Sequence, residues 1–197
     1  PTGIYYPPGV LARGDLSDSS RPLIVVEGEK KALALDRMGY ATIGLPGVWT
    51  GHDVSVSPKV LRLHPWIRDD VKVDGREVVI AFDSNIMTNS SVLGAARRTA
   101  GMFMDAGASS VRVVQWPSTP MVGVNGVDDL AYSRGDGAVR TVLDSAVPCA
   151  QIAHRRGGCT IPLSVGANTV LTATQKIIYG ALVARAVQGR VRRVTMD

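Results

Sequence analysis

The sequence predicts an α/β fold: a central, mainly parallel sheet of about four strands with helices on its faces. Three observations lead there. Short apolar runs alternate with helix-forming stretches, the pattern of strands joined by crossover helices. The runs Leu23-Ile24-Val25-Val26 and Glu77–Phe82 are continuously apolar over most of their length, as in strands buried on both faces of a sheet. Glycine and proline at Gly39, Pro46-Gly47, Gly107 and Pro117 close successive segments, as turn and cap residues do.

In chain order, Pro1–Pro22 is rich in Pro, Gly, Ser and Asp and reads as an irregular lead-in. Leu23–Val26 is the first strand. Glu29–Met38 holds helix formers and stops at Gly39, a glycine placed to end a helix. Ala41–Leu45 is a second strand, cut off by Pro46-Gly47. Residues 50–76 are broken by Gly51, Pro58, Pro65 and Gly75, with a short helix within Pro58–Ile67. Glu77–Phe82 is the clearest strand. Ser90–Ala106 places Val92, Leu93, Ala96, Ala100, Phe103 and Met104 on one helical face. Ser110–Trp116 is a fourth strand, and Val127–Tyr132 and Gly137–Ser145 are short helices. Asn168 could cap an amphipathic helix over 168–187. The resulting division is a lead-in (1–22), a main domain (23–147) and a C-terminal extension (148–197).

Charge separates the last two parts. The net charge of +5 is uneven. Residues 1–145 carry 15 basic and 16 acidic side chains, whereas 146–197 carry 7 basic side chains and Asp197 alone. A basic arm beside a near-neutral domain fits a polyanionic partner, and Arg190, Arg192 and Arg193 are its candidate contacts; a solvated tail is the plainer reading. Cys149, His154 and Cys159 match no common zinc spacing and lack a fourth ligand. No apolar run is long enough for a membrane span, and no basic-then-apolar export signal opens the chain. A cytoplasmic location is the expectation. The chain begins with Pro1 rather than methionine, as an excised part of a longer protein would.

In open parallel sheets, ligands gather beyond the carboxyl ends of the strands. Glu27 and Asp83 fall there, one after each of the two strongest strands. Mg2+ commonly takes one or two carboxylates and keeps several waters, so this pair, with Asp128-Asp129 after the fourth strand, could hold one. Gathered acids without a cation repel, which should raise at least one pKa. The plainer reading is that Asp83 caps the next helix and that Glu29 faces a helix dipole. Lys30 and Lys31 open the first long helix and either neutralise phosphate or face solvent.

Val26-Glu27-Gly28-Glu29-Lys30-Lys31-Ala32, then Phe82-Asp83-Ser84-Asn85, resembles the Toprim domain of primases, topoisomerases and certain nucleases. The nearest likeness is to primase and primase-helicase proteins of phages, plasmids and integrative elements. It rests also on Tyr6-Pro7-Pro8-Gly9, Leu45-Pro46-Gly47-Val48-Trp49, Asp74-Gly75-Arg76-Glu77 and Val127-Asp128-Asp129-Leu130-Ala131, and spans roughly Tyr5 to Ser145. The resemblance implies a Rossmann-like Toprim fold and Mg2+ or Mn2+ as cofactor. It implies catalytic roles for Glu27 and Asp83, with Glu27, Asp83, Asn85 and Asp128 around the metal. Asn85 stands where the family has an acid; it can ligate but adds no negative charge. DNA or RNA and nucleotides are the implied partners, with Lys30 and Lys31 among the contacts, alongside a helicase or primase module of the same or another chain. Two classes stay open: an enzyme of primer synthesis or strand cleavage, and a non-catalytic module that binds nucleic acid or a replication partner.

Overall fold

The computed structural model describes residues 3–53, 55, 62–117 and 121–151. The chain divides into two units, Pro1–Ile152 and Ala153–Asp197, and all the described residues belong to the first. The expected helix over 168–187, Arg190, Arg192, Arg193, His154 and Cys159 lie outside the described residues.

The first unit is a five-stranded sheet in the order β2-β1-β3-β4-β5. Its strands are β1 (Leu23–Glu27), β2 (Ala41–Leu45), β3 (Glu77–Ala81), β4 (Ser110–Val113) and β5 (Val147–Pro148). β1 pairs in parallel with both β2 and β3, and β3 with β4. The expected count of about four holds for the parallel strands. The fifth is a two-residue antiparallel edge on β4, with Val113 opposite Val147. It is too short to carry a periodic pattern. The expected fourth strand, Ser110–Trp116, is shorter as a ladder, although Val114 N–H still donates to Ile80 O at 2.9 Å.

Continuous apolar runs appear where both faces are covered. Leu23, Val25, Val26, Ile43, Leu45, Val78 and Ile80 are wholly buried, and each such side chain contributes about 1.5–3 kcal/mol relative to exposure. Around the sheet lie α2 (Glu29–Arg37), α4 (Ser90–Asp105), α5 (Val127–Arg134) and α6 (Asp136–Asp144). From β1 the chain moves to β2 in one direction along the sheet, and from β3 to β4 in the other. Strand order therefore reverses between β1 and β3, the place at whose carboxyl ends open sheets of this kind bind ligands.

The segment 1–22 is less irregular than its composition implied. It contains α1 (Pro8–Ala12), because proline at the first helical positions has no N–H to lose and a preset φ. Tyr5 exchanges backbone hydrogen bonds with Gly44, at 2.8 and 2.9 Å. The Gly9 N–H donates to Asp36 on α2. The guanidinium of Arg76, 0% exposed, donates to the carbonyls of Arg21 (2.8 Å), Asp15 (2.9 Å) and Leu16 (3.1 Å). The short helix α3 is Pro65–Asp70, with His64 as its cap: His64 Nδ1 accepts from Trp66 N at 3.2 Å. Among the described residues no helix is long and apolar enough to cross a membrane.

Candidate metal and phosphate site

The site begins with a register. Val26 on β1 lies beside Ala81 on β3, so Glu27 and Asp83 leave the same end of neighbouring strands at the point where strand order reverses. After Glu27 the chain turns sharply. Gly28 has φ 90°, a conformation that disfavours any residue with a Cβ. Its N–H donates to Leu45 O at 2.7 Å, and a Cβ on Gly44 would come within 2.8 Å of Gly28 O. Both glycines therefore allow β2 to press against the turn that carries Glu27.

The end of β3 is pinned from the other side. Trp116 Nε1 donates to Phe82 O at 2.8 Å in a buried hydrogen bond, and Ser84 N–H donates to Asn125 O at 2.7 Å. The loop before α5 is thereby tied to the chain on either side of Asp83. Asp129 accepts from Asn125 N–H at 3.0 Å, closing that loop. Asp83 does not cap the next helix: its side chain makes no cap hydrogen bond, and α4 is capped by Asn89, which accepts from Ser91 and Val92 N–H. The capping reading of Asp83 is therefore overturned.

Gly126 marks the centre. A Cβ placed there would lie 2.9 Å from Asp128 Oδ1, 3.0 Å from Asp83 Oδ1 and 2.2 Å from Lys31 Cε. Two carboxylates and a lysine stem thus converge on one point. Asp83 Oδ1 and Asp128 Oδ1 are both buried, and Asp128 Oδ1 has no hydrogen-bond partner among the described residues. Lys31 Nζ is at ion-pair distance from Asp83 Oδ1, 3.2 Å. Glu27 titrates above its ordinary value, first through burial and then through the charge of Asp83, opposed by Lys31. Asp83 is also raised, mainly by burial; Lys31 opposes this, and Asp128 and Asp129 add to it. Burial, more than the repulsion expected from the sequence, is the leading cause in both cases.

The structure brings together Glu27, Asp83, Asp128 and Lys31. Lys30 is exposed, since adjacent positions on a helix face different directions. Asn85 is exposed in a 3-10 turn (Ser84–Met87), and its backbone carbonyl accepts from Thr88 N–H, Thr88 Oγ1 and Asn89 N–H. Asn85 is not among the atoms nearest the Gly126 position where Asp83, Asp128 and Lys31 meet. Among the described residues, no three His, Cys, Asp or Glu side chains form a ready-made ligand cluster. Two buried carboxylate oxygens that approach one point, one of them with no hydrogen-bond partner among the described residues, do fit Mg2+, which binds through one or two carboxylates and keeps its waters. Sequence reading did not single out Gly126 or Trp116. Gly126 stands directly before the Val127-Asp128-Asp129 run that did attract notice. One cavity of about 430 Å³, lined by Val73, Asp74, Asp105 and Ala106 among others, is bordered by residues that precede β3 and β4, at the opposite end of the sheet.

The arrangement is one of an α/β domain with acids at the switch point of its sheet. Its fold is similar to the RNA polymerase domain of Mycobacterium tuberculosis primase DnaG, with a TM-score of 0.50 and 18% identity over 92% of this chain and 55% of that one. Residues 16–138 match the family described as a domain of unknown function, DUF3854, and the chain belongs to that family. It is also 34% identical over 149 residues to an uncharacterised protein of Picosynechococcus sp. (strain ATCC 27264 / PCC 7002 / PR-6). That alignment takes in 72% of this chain but only 14% of the relative's length.

Proposed function

We propose that this chain is a Toprim-type domain that performs Mg2+- or Mn2+-dependent nucleotidyl transfer of the primase kind, in DNA replication of a phage, plasmid or integrative element. The observation that carries the reading is the pair of buried oxygens, Asp83 Oδ1 and Asp128 Oδ1, facing one space at the switch point of the sheet beside Glu27. The primase-like fold of the Mycobacterium tuberculosis domain supports it.

In this reading Asp83 and Asp128 hold the divalent ion. The ion supplies charge neutralisation to the phosphate oxygens of an in-line displacement. Glu27, half-buried and raised in pKa, moves a proton from the attacking hydroxyl, a task favoured by a carboxylate tuned towards neutral pH. Lys31 offers a point charge to phosphate. Nucleotides and a single-stranded template are the partners, and the host-cell cytoplasm is the place of work. The domain is a catalytic part of a longer replication protein, with its C-terminal extension, 148–197, lending basic residues to nucleic acid.

The test is primer synthesis on single-stranded templates with labelled nucleoside triphosphates and Mn2+. Labelled dinucleotides and longer products are expected, and Glu27→Gln and Asp83→Asn should each abolish them. Absence of product, product that persists in both variants, or shortening of a labelled strand in place of extension would overturn the reading.

A further inference from the structure

We propose that Lys31 is the resident counter-ion of this site and that a divalent ion enters by displacing the Lys31 ammonium from Asp83. The inference rests on the metal-site reading above and adds what controls occupancy. Three observations lead to it. The ammonium lies 3.2 Å from Asp83 Oδ1, with the two side chains only 17% and 22% exposed. The lysine stem runs close to both acids: its Cε is 2.2 Å from the position a Cβ on Gly126 would take, which lies 2.9 and 3.0 Å from the two carboxylate oxygens. Asp128 Oδ1, by contrast, is buried with no hydrogen-bond partner among the described residues, so the lysine neutralises Asp83 and leaves Asp128 unsatisfied.

An ion bound to both oxygens would sit about 2.0–2.1 Å from each. The Lys31 ammonium already lies 3.2 Å from Asp83 Oδ1, so an ion binding that oxygen meets a like charge at close range. The two therefore compete for Asp83. Lys31 is in the first turn of α2, on a flexible four-carbon stem, with the partly exposed mouth of the site beside it. Once displaced, its ammonium is free to meet a substrate phosphate. Metal entry and phosphate capture are then linked, because the same side chain must leave one to serve the other.

Mn2+ titration of the full chain, read by the loss of the free-ion paramagnetic resonance signal, tests this without any turnover. Lys31→Met removes the competing charge and should tighten Mn2+ binding about tenfold or more, equivalent to ~1.4 kcal/mol. Lys31→Arg keeps a cation and should not tighten it. Equal or weaker Mn2+ binding by Lys31→Met overturns the proposal and leaves the metal site standing. Mn2+ binding that survives Asp83→Asn unchanged removes the metal site and the proposal together. A second readout uses the unaltered protein: acetylation of the Lys31 amine, followed by peptide mass spectrometry, should quicken when Mn2+ is added. An unchanged rate overturns the displacement even where a variant fails to fold.

Discussion

Replacing Gly126 by alanine probes the site with a single methyl group. The backbone allows it: φ −139° and ψ −176° are extended, and any residue adopts that conformation. Losing a glycine there reduces the freedom of the unfolded chain, which contributes about 0.4–1 kcal/mol of stability. Against this, the new methyl would lie 2.2 Å from Lys31 Cε, where carbon atoms need about 3.5–4.0 Å. The lysine must retreat by more than an ångström and give up its ion pair with Asp83. A partly exposed pair of that kind contributes about 0.2–1 kcal/mol. The two effects nearly cancel, so the net change should stay within ~1 kcal/mol. Function should change far more. The methyl would stand 2.9 Å from Asp128 Oδ1 and 3.0 Å from Asp83 Oδ1, crowding an ion held by them as well as the lysine. Thermal unfolding should therefore show a midpoint within a few degrees of the parent, while Mn2+ affinity falls at least about tenfold, a loss of ~1.4 kcal/mol. Undiminished Mn2+ affinity in a normally folded Gly126→Ala protein would refute the reasoning that this space is the cation's place.

Other perturbations have equally defined outcomes. Arg76→Met strands the carbonyls of Asp15, Leu16 and Arg21; urea unfolding should show a loss of about 3–5 kcal/mol, and a loss below 1 kcal/mol would mean that 1–22 does not depend on this anchor. Glu27→Gln tests pH linkage. Because the folded-state pKa of Glu27 is raised by burial and by Asp83, the native protein holds more protons than the unfolded chain in the window just above the ordinary carboxylate range. Its contribution to stability therefore falls as pH rises through that window. Thermal midpoints without metal should show Glu27→Gln level with the parent in acid and above it near neutrality, and a gain confined to acid would contradict the sign.

The sheet was legible because burial on both faces writes continuous apolar runs into the chain. Leu23–Val26 and Glu77–Phe82 carried that signature, and the acids following them could be assigned to one end of the sheet. β5 was not legible, since Val147-Pro148 pairs only where β4 offers an edge. The helix at Pro8–Ala12 was hidden by its prolines, which suit a first turn as well as a loop. Composition did not distinguish Lys31 from Lys30; one step around a helix sends the first to Asp83 and the second to solvent. Resemblance to a motif puts Asn85 with the acids, whereas in the structure it is an exposed residue of the 3-10 turn after Asp83. Gly126 carries no side chain to notice, and its importance emerges only when Asp83, Asp128 and Lys31 converge on it from separate elements.

The central claim is that Asp83 and Asp128, beside Glu27, hold one divalent ion at the carboxyl ends of β1 and β3. Anomalous diffraction from crystals of the full chain soaked in Mn2+ tests it most directly. A single strong peak is expected in the space above Gly126, about 2.0–2.2 Å from Asp83 Oδ1 and Asp128 Oδ1, with Lys31 Nζ moved away from Asp83. An empty space there, with Lys31 still paired to Asp83 under saturating Mn2+, would contradict it.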